Sequence, residues 1–199
     1  YGNTTAENIE NGEETFDIFD DFNDGVIADE WNLSTGPSAG PTETGGELKV
    51  SGEWSTADQY TAYGVYNNKT YRTADGEELI VQTRYRQAAS DGLNSKVKFG
   101  FSSDDIAMND YDVMYYSGSW QKLADSGFDD GWMMFEIHAS LSNVYWYEDR
   151  SLITSRSRDY GSTDITLNTS PDRNGGYSGF DVRFDWVFTR KYAATDPTT

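Results

Sequence analysis

Alternation of apolar and polar residues with a period of two is the feature that most limits the folds open to this chain. Near the C-terminus every second side chain is apolar, namely Phe180, Val182, Phe184, Trp186 and Phe188. Successive side chains of a β-strand point to opposite faces, so the pattern predicts one long strand with a single apolar face. No segment keeps apolar residues at helical spacing for three turns, and the chain is therefore predicted to be all-β.

The same alternation recurs along the chain between segments rich in Gly, Asn, Asp and Ser. It predicts further strands over 15–22, 47–51, 59–66, 79–85, 96–101, 110–117, 119–124, 132–138, 143–148, 151–156 and 164–168. The stretch from Ser34 to Gly46 has the composition of turns. About a dozen short strands at hairpin spacing predict two packed antiparallel sheets, a β-sandwich.

Charge and residue usage exclude several classes of function. The 199 residues carry 34 acidic and 15 basic side chains, a formal charge of -19, which fits either a salt-rich habitat or a simple surplus for solubility. Nucleic acids and anionic membrane surfaces are predicted not to be partners, and the charge favours a monomer. Cysteine is absent and His138 is the single histidine, which excludes disulfides, thiolate zinc sites and multi-histidine metal centres.

Four segments of the chain form a recognisable series: Phe19–Asn23, Gly46–Val50, Gly131–Arg150 and Phe184–Val187. The third contains a Trp-Met-Met-Phe-Glu-Ile strand, a short turn and a Val-Tyr-Trp-Tyr strand. In this order the segments resemble the concanavalin A-like lectin/glucanase superfamily, whose domains are jelly rolls of the laminin-G and glucanase type and include a similar hairpin. The resemblance implies a concanavalin A-like jelly roll over residues 15–192.

The resemblance also sets expectations for the rest of the molecule. Residues 1–14 are expected to be a linker or the end of a preceding domain, and residues 193–199 a tail, in a larger prokaryotic surface or secreted protein with neighbouring domains. Asn-x-Ser/Thr sequons occur at Asn3, Asn32, Asn68 and Asn168. One interpretation is that these sequons arise by chance, because the chain is rich in Asn, Ser and Thr. The other is that they are glycosylated, which would place the protein outside the cell. We expect an extracellular or cell-surface location.

Glycoside hydrolysis requires a pair of acidic side chains, which the chain lacks at the expected positions. Retaining glycosidases need two carboxylates about 5–5.5 Å apart, which the glucanases of this superfamily place in an E-x-D-x-E strand. The corresponding segment, 110–114, has Asp110 and Asp112 on one face with Met114 in the place of the second glutamate. A thioether neither donates a proton nor attacks an anomeric carbon. The pair Glu136 and His138 falls on a strand that the resemblance assigns to the back sheet, so we predict that the chain is not an enzyme.

A structural Ca²⁺ is expected from the resemblance, on the convex side where the first and last strands meet. Calcium prefers six to eight hard oxygen ligands, several of them backbone carbonyls. The positions that match are the carbonyls of Asp21 and Gly46 and the side chain of Asp185; a solvated outer-face residue is the alternative for Asp185. The acid clusters of 125–130 and 172–174 are interpreted as solvated surface.

A sugar-binding surface is predicted on the concave face of one sheet. Aromatic rings stack on the apolar faces of sugars, and polar groups orient the hydroxyls. If Val97, Phe99 and Val113 face the core, the opposite face carries Met114, Lys122 and these candidate ligands: Tyr63, Lys98, Asp112, Tyr116, Trp120 and Asn168. The alternative for Tyr63 and Trp120 is a place in the core.

These observations predict a noncatalytic module that binds a poly- or oligosaccharide on its concave face and is stabilised by calcium. Two alternatives stay open from the sequence. One is a structural or adhesive cell-surface domain without a small-molecule ligand, and the other is a glucanase-like glycoside hydrolase.

Overall fold

The computed structural model is all-β in the residues that it describes, and within them it contains seventeen strands and no helix. Numbered in chain order, the eight-stranded sheet contains β1 (Ile18–Asp20), β3 (Ala39–Glu43), β4 (Leu48–Glu53), β7 (Leu79–Ser90), β12 (Met133–Ala139), β13 (Asn143–Glu148), β14 (Ser151–Ser157) and β17 (Gly179–Lys191). The seven-stranded sheet contains β2 (Trp31–Ser34), β5 (Tyr63–Asn67), β8 (Ser95–Phe101), β9 (Ile106–Asn109), β10 (Asp112–Tyr116), β11 (Trp120–Asp125) and β16 (Ile165–Pro171). β6 (Tyr71–Arg72) and β15 (Ser162–Thr163) form a separate pair.

The described residues are 16–35, 39–53, 63–67, 71–72, 79–90, 95–101, 106–109, 112–116, 120–125, 131–140, 142–157, 162–163, 165–171 and 179–191. The predicted terminal segments, 1–14 and 193–199, lie outside these ranges. Within them, no helix has the length and the apolar character that crossing a bilayer requires.

Neighbouring strands are often distant in sequence, as in a jelly roll. The order of the larger sheet is β14-β13-β12-β7-β17-β4-β3, with β1 paired to β17 as well, and that of the smaller sheet is β11-β10-β9-β8-β16-β5-β2. Every pairing between the described strands is antiparallel. The prediction of a two-sheet antiparallel jelly roll is therefore confirmed.

The core lies between the sheets and is built from one face of each. From the larger sheet, Tyr85, Phe135 and Trp146 are fully or almost fully buried, and from the smaller sheet Val65 and Leu167 are. Burial of each such large side chain contributes about 1.5–3 kcal/mol, which makes this interface the main source of stability. Burial raises the pKa of the Tyr85 phenol well above its ordinary value.

The outer face of the larger sheet is a network of ion pairs. Glu47 accepts hydrogen bonds from Arg86 at 3.1 Å and Arg183 at 2.8 Å. Arg183 also binds Asp181, which pairs with Lys49 at 3.4 Å. Alternating acids and bases across β7, β17 and β4 thus neutralise one another on this face.

The strict alternation predicted for the C-terminal strand is wrong in its second half. Opposite β7, Asp185 is an extra residue in β17, because Phe184 pairs with Tyr85 while Trp186 pairs with Arg84. Such a β-bulge shifts the alternation by one residue. Val187 and Thr189 are therefore buried, whereas Trp186 and Phe188 lie half-buried on the outer face and stack at 5.3 Å.

A second correction concerns the stretch predicted to be turns. Residues Ala39–Glu43 form β3, which pairs with β4 at the edge of the larger sheet. The strand contains Pro41, and an edge strand tolerates a proline because only one of its sides needs donors for the ladder. Strands β2, β6, β9 and β15 were also not predicted.

The bulge predicts unequal roles for two phenylalanines of β17. We expect Phe184→Ala to lower the free energy of unfolding by about 3–5 kcal/mol, because it empties a fully buried site. Phe188→Ala removes a half-buried ring that stacks on Phe16 and Trp186, and we expect a loss of about 1–2 kcal/mol. Urea unfolding of both variants measures the difference, and equal losses would support an unbroken strand.

Candidate functional site

The face of the seven-stranded sheet that points away from the core is called the open face here. Val65, Leu167 and Val113 are buried, so the residues that alternate with them in β5, β16 and β10 occupy this face. Its described side chains include Tyr66, which is 41% exposed, and Lys122, whose side chain is 47% exposed. Strands of this sheet carry all six predicted sugar ligands.

The pairing register brings five of those six positions to the open face. Asn168 lies directly opposite Lys98, and Tyr116 lies opposite Trp120. Asp112 alternates with buried Val113 and therefore takes the open-face position of its strand. Their sugar contacts stay predictions, since the structure describes the backbone at these positions.

Tyr63, the sixth predicted ligand, alternates the other way along its strand and does not take an open-face position. It lies opposite Thr169, two residues before Val65, which is 1% exposed. Its position therefore belongs to the row that faces the core, the alternative raised for it from the sequence. Its side chain lies outside what the structure describes, so its role stays a prediction.

Asp112 has a second acid across from it. The register pairs Asp112 with Asp125 at the ends of β10 and β11. Residues directly opposite in antiparallel strands have Cβ atoms about 4.5–5.5 Å apart. The side chain of Asp125 is 87% exposed, and its Oδ1 lies 2.5 Å from the Lys122 ammonium. The two acids are therefore placed as a close pair at one end of the open face.

Sequence reasoning missed Asp125, which was assigned to a solvated loop. Between Val113 and Met114 the register with β11 shifts, so that Leu123 is an extra residue. Counting by twos from Lys122 would put Asp125 on the core side, but the bulge moves it to the open face. The sequence offers no local signal for this shift, since it depends on the pairing.

Met114 and the Glu136–His138 pair lie where the sequence placed them. Met114 is opposite Ala107 on one side and Lys122 on the other, so no acid faces it in the register. Glu136 and His138 are on β12 of the larger sheet, with Oε2 and Nε2 3.4 Å apart. They are part of the other sheet and do not belong to the open face.

The three predicted calcium ligands converge on one junction. β1 ends beside Val187, and β4 begins beside Phe184, so Asp21 and Gly46 both lie near the bulged Asp185. The carboxylate of Asp185 accepts a hydrogen bond from Arg84 at 2.6 Å, and that of Asp21 accepts one from Asn23 at 2.5 Å. Among the described residues, no three or more His, Asp or Glu side chains form a group that could hold a metal ion. A cation here would rely on backbone oxygens and would compete with Arg84.

An acidic cavity of about 430 Å³ lies beside the same junction. Phe16 and Phe19 line it together with acids that include Asp20, Asp21 and Glu30. Burial raises the pKa of Asp20, and the nearby charges of Glu30 and Asp21 add to the rise, although Phe22 and Trp31 donate hydrogen bonds to it. Crowded carboxylates thus disfavour the charged form at this place.

Comparison with known proteins identifies the fold. A family profile described as a domain of unknown function, DUF2341, matches residues 1–34. No curated protein sequence matches the chain. A glycosyl hydrolase family 16 protein from Mycobacterium smegmatis is similar in structure, with a TM-score of 0.66 and 12% identity over 88% of this chain and 100% of that one.

Two further solved structures are similar to the same extent. A β-1,3-glucanase from Mycobacterium marinum has a TM-score of 0.62 and 12% identity, covering 88% of this chain and 99% of its own. The laminarinase catalytic domain from Thermotoga maritima has a TM-score of 0.62 and 14% identity, covering 90% and 98%. The fold is that of the concanavalin A-like jelly rolls, as the four sequence segments predicted.

These likenesses contradict the interpretation of the chain as a noncatalytic module that is not an enzyme. Solved structures that share nearly the whole domain include a glycosyl hydrolase family 16 protein, a β-1,3-glucanase and a laminarinase catalytic domain. The argument from Met114 considered only acids on one strand. Two acids can also come from paired positions on neighbouring strands, and the register pairs the positions of Asp112 and Asp125.

The raised pKa of Asp20 predicts a pH-dependent contribution to stability. A carboxyl with a raised native pKa stabilises the fold below its unfolded pKa, and this contribution is lost as the pH rises through the native value. Asp20→Asn should therefore gain stability relative to the wild type between about pH 3 and about pH 7. The measurement is the free energy of urea unfolding at both pH values.

Asp181→Asn provides a control of opposite sign. Burial alone would raise the pKa of Asp181, but Arg183 and Lys49 bind it and bring the pKa below its ordinary value. Its contribution to stability is present above the unfolded pKa and is lost as the pH falls, so this variant should lose stability relative to the wild type as the pH rises. The same sign for both variants would contradict the assignment.

Proposed function

We propose that the chain is a glycoside hydrolase that cleaves a polysaccharide bound across the open face of the seven-stranded sheet. The observation that carries the proposal is the direct register of Asp112 and Asp125 on that face. The fold supports it, because similar solved structures include a laminarinase and a β-1,3-glucanase. The open face also carries the exposed ring of Tyr66 and the position of Asn168 on the same sheet as the two acids.

The spacing of the two acids favours a retaining mechanism. Retaining glycosidases place their carboxyl groups about 5–5.5 Å apart, whereas inverting enzymes leave about 6.5–9.5 Å for a water molecule. Directly paired positions have Cβ atoms about 4.5–5.5 Å apart, which allows the shorter spacing of the carboxyl groups. We assign the nucleophile to Asp125, which forms an ion pair with Lys122, and the proton donor to Asp112. The nucleophile forms a bond to the anomeric carbon while the donor protonates the leaving oxygen, and water then releases the sugar.

The rest of the open face suits a bound sugar chain. Tyr66 is exposed, and Tyr116 and Trp120 occupy paired positions at the other end of the two strands that carry the acids. Aromatic rings stack on the apolar faces of pyranoses, and the amide of Asn168 is a donor and acceptor for hydroxyls. A polysaccharide substrate also fits the proposed extracellular location, since such polymers occur outside the cell.

Removal of either acid should abolish hydrolysis. We expect Asp112→Asn and Asp125→Asn each to lower the rate by about 10²- to 10⁴-fold, since each removes a nucleophile or a proton donor. The assay is release of reducing ends from a panel of polysaccharides that includes laminarin, with the anomer of the product followed by NMR. The product should keep the configuration of the substrate.

Asp29→Asn is the matched control. Asp29 is exposed and lies in the loop that leads to β2, at the edge of the sheet opposite to β11, so its loss should leave the rate unchanged. A wild-type protein that releases no reducing ends from any polymer of the panel would reject the hydrolase and favour a structural or adhesive domain. Full activity in both Asp variants would reject the assigned residues.

We also propose a structural Ca²⁺ at the junction of β1, β4 and β17. It would be held by the carbonyls of Asp21 and Gly46 and by the side chain of Asp185. The proposal rests on the convergence of these positions and on the neighbouring acidic cavity, whose carboxylates a cation would neutralise. Arg84 would have to give up its contact with Asp185.

Calcium should therefore raise the melting temperature of the protein, because a ligand bound only by the native state stabilises it by mass action. At a concentration about 100 times the dissociation constant, the stabilisation is about 2.7 kcal/mol. Thermal melts in Ca²⁺ and in chelator test this, with Mg²⁺ as the reference ion. Asp185→Asn should remove most of the shift, and an unchanged shift in that variant would place the ion elsewhere.

A further inference from the structure

The basic residues of the open face stand out in a strongly acidic chain. Lys96, Lys98 and Lys122 take open-face positions and are half of the six lysines in the sequence. Their acidic counterparts in the described part of this face are Asp112 and Asp125. The described open face therefore has a formal charge of +1, in a chain whose total is -19.

Lys96 and Lys98 lie among neutral positions. On β16, Lys98 faces Asn168 and Lys96 faces Ser170, and on β9 Lys98 faces Ala107. The next open-face position of β16, Thr166, is neutral as well. On the outer face of the larger sheet, by contrast, Lys49, Arg84, Arg86 and Arg183 each contact a carboxylate. The register of the described strands thus provides no acid directly across from either lysine of β8.

The two lysines lie at a defined distance from the proposed catalytic acids. Continuing the β8–β9 register by one pair beyond Val97 and Met108 puts Lys96 beside Asn109, which pairs with Asp112. Strands lie about 4.7–4.9 Å apart, so Lys96 is about 10 Å from Asp112 across the sheet. A sugar chain that runs across the strands would meet the lysines within one or two residues of the bond that is cut.

We infer that the polysaccharide is anionic and that Lys96 and Lys98 bind its charged substituent, a sulfate ester or a uronate carboxylate. This inference rests on the proposed function for the location of the site. The ammonium groups supply charge, and the Asn168, Ser170 and Thr166 positions supply neutral hydrogen-bonding groups for the same substituent. A local positive charge also offsets the repulsion that a chain of charge -19 exerts on any anionic polymer.

The test is affinity electrophoresis and calorimetry of the 199-residue chain with three polymers: carrageenan for sulfate, polygalacturonate for carboxylate and laminarin as the neutral reference. We expect at least one anionic polymer to bind about tenfold or more tightly than laminarin at low salt and to lose affinity as salt is raised. Lys96→Gln and Lys98→Gln should each weaken that binding by about three- to tenfold, and Lys98→Arg should retain it. The better of the two anionic polymers identifies the substituent.

Lys49→Gln is the matched control, because it removes the same charge from the outer face of the other sheet. It should leave binding unchanged, and melting temperatures confirm that each variant is folded. Preference for laminarin, or equal losses in Lys49→Gln and Lys98→Gln, would overturn the inference.

Reducing-end assays on the same polymers separate this inference from the proposed function. Cleavage of laminarin alone would leave the hydrolase standing and overturn the anionic substrate. Lysine-dependent binding of an anionic polymer without cleavage would support the anion site and reject the hydrolase. Neither binding nor cleavage would overturn both.

Discussion

Burial of one face of each sheet is the constraint on which the rest of this structure depends. Trp146, Phe135 and Leu167 pack between the sheets with no exposed surface, and the chain has no disulfide to hold it together. Since a shift of one residue would turn every buried side chain outward, this interface also determines the strand register. The register in turn decides which polar side chains meet on the open face. The core therefore positions the site, although no core residue belongs to it.

β-Bulges modify this simple relation at several places in the described strands, and two of them lie beside candidate functional residues. The bulge in β17 leaves Asp185 as an extra residue next to the ends of β1 and β4. The shift in β11 brings Asp125 across from Asp112. A bulge re-aims a side chain without disturbing the pairing on either side of it, so both sites arise at little expense to the core. Both proposals thus depend on local shifts of the strand register.

The two faces of the sandwich handle charge differently. On the outer face of the larger sheet, acids and bases alternate across strands and pair, as Glu47 does with Arg86 and Arg183. On the open face of the smaller sheet, lysine, aromatic and amide positions dominate, and the acids are gathered at one end. Paired charges satisfy one another, whereas a face with few opposite charges retains its polar groups for a ligand. This contrast favours the open face as the functional surface.

Alternation and turn residues are local properties, and they predicted the all-β class and most of the strands. The four segments predicted the jelly-roll fold, and alternation placed five of the six candidate sugar ligands on the open face. The sequence did not predict β3, because Pro41 in a Gly-rich stretch is typical of a turn. The stretch forms an edge strand because it pairs with β4. Nor did the sequence reveal that Phe188 leaves the core face or that Asp125 joins Asp112. These points depend on strand pairing across the folded sheets, because an edge strand or a bulge is defined by two paired strands and cannot be identified from the sequence of one strand alone.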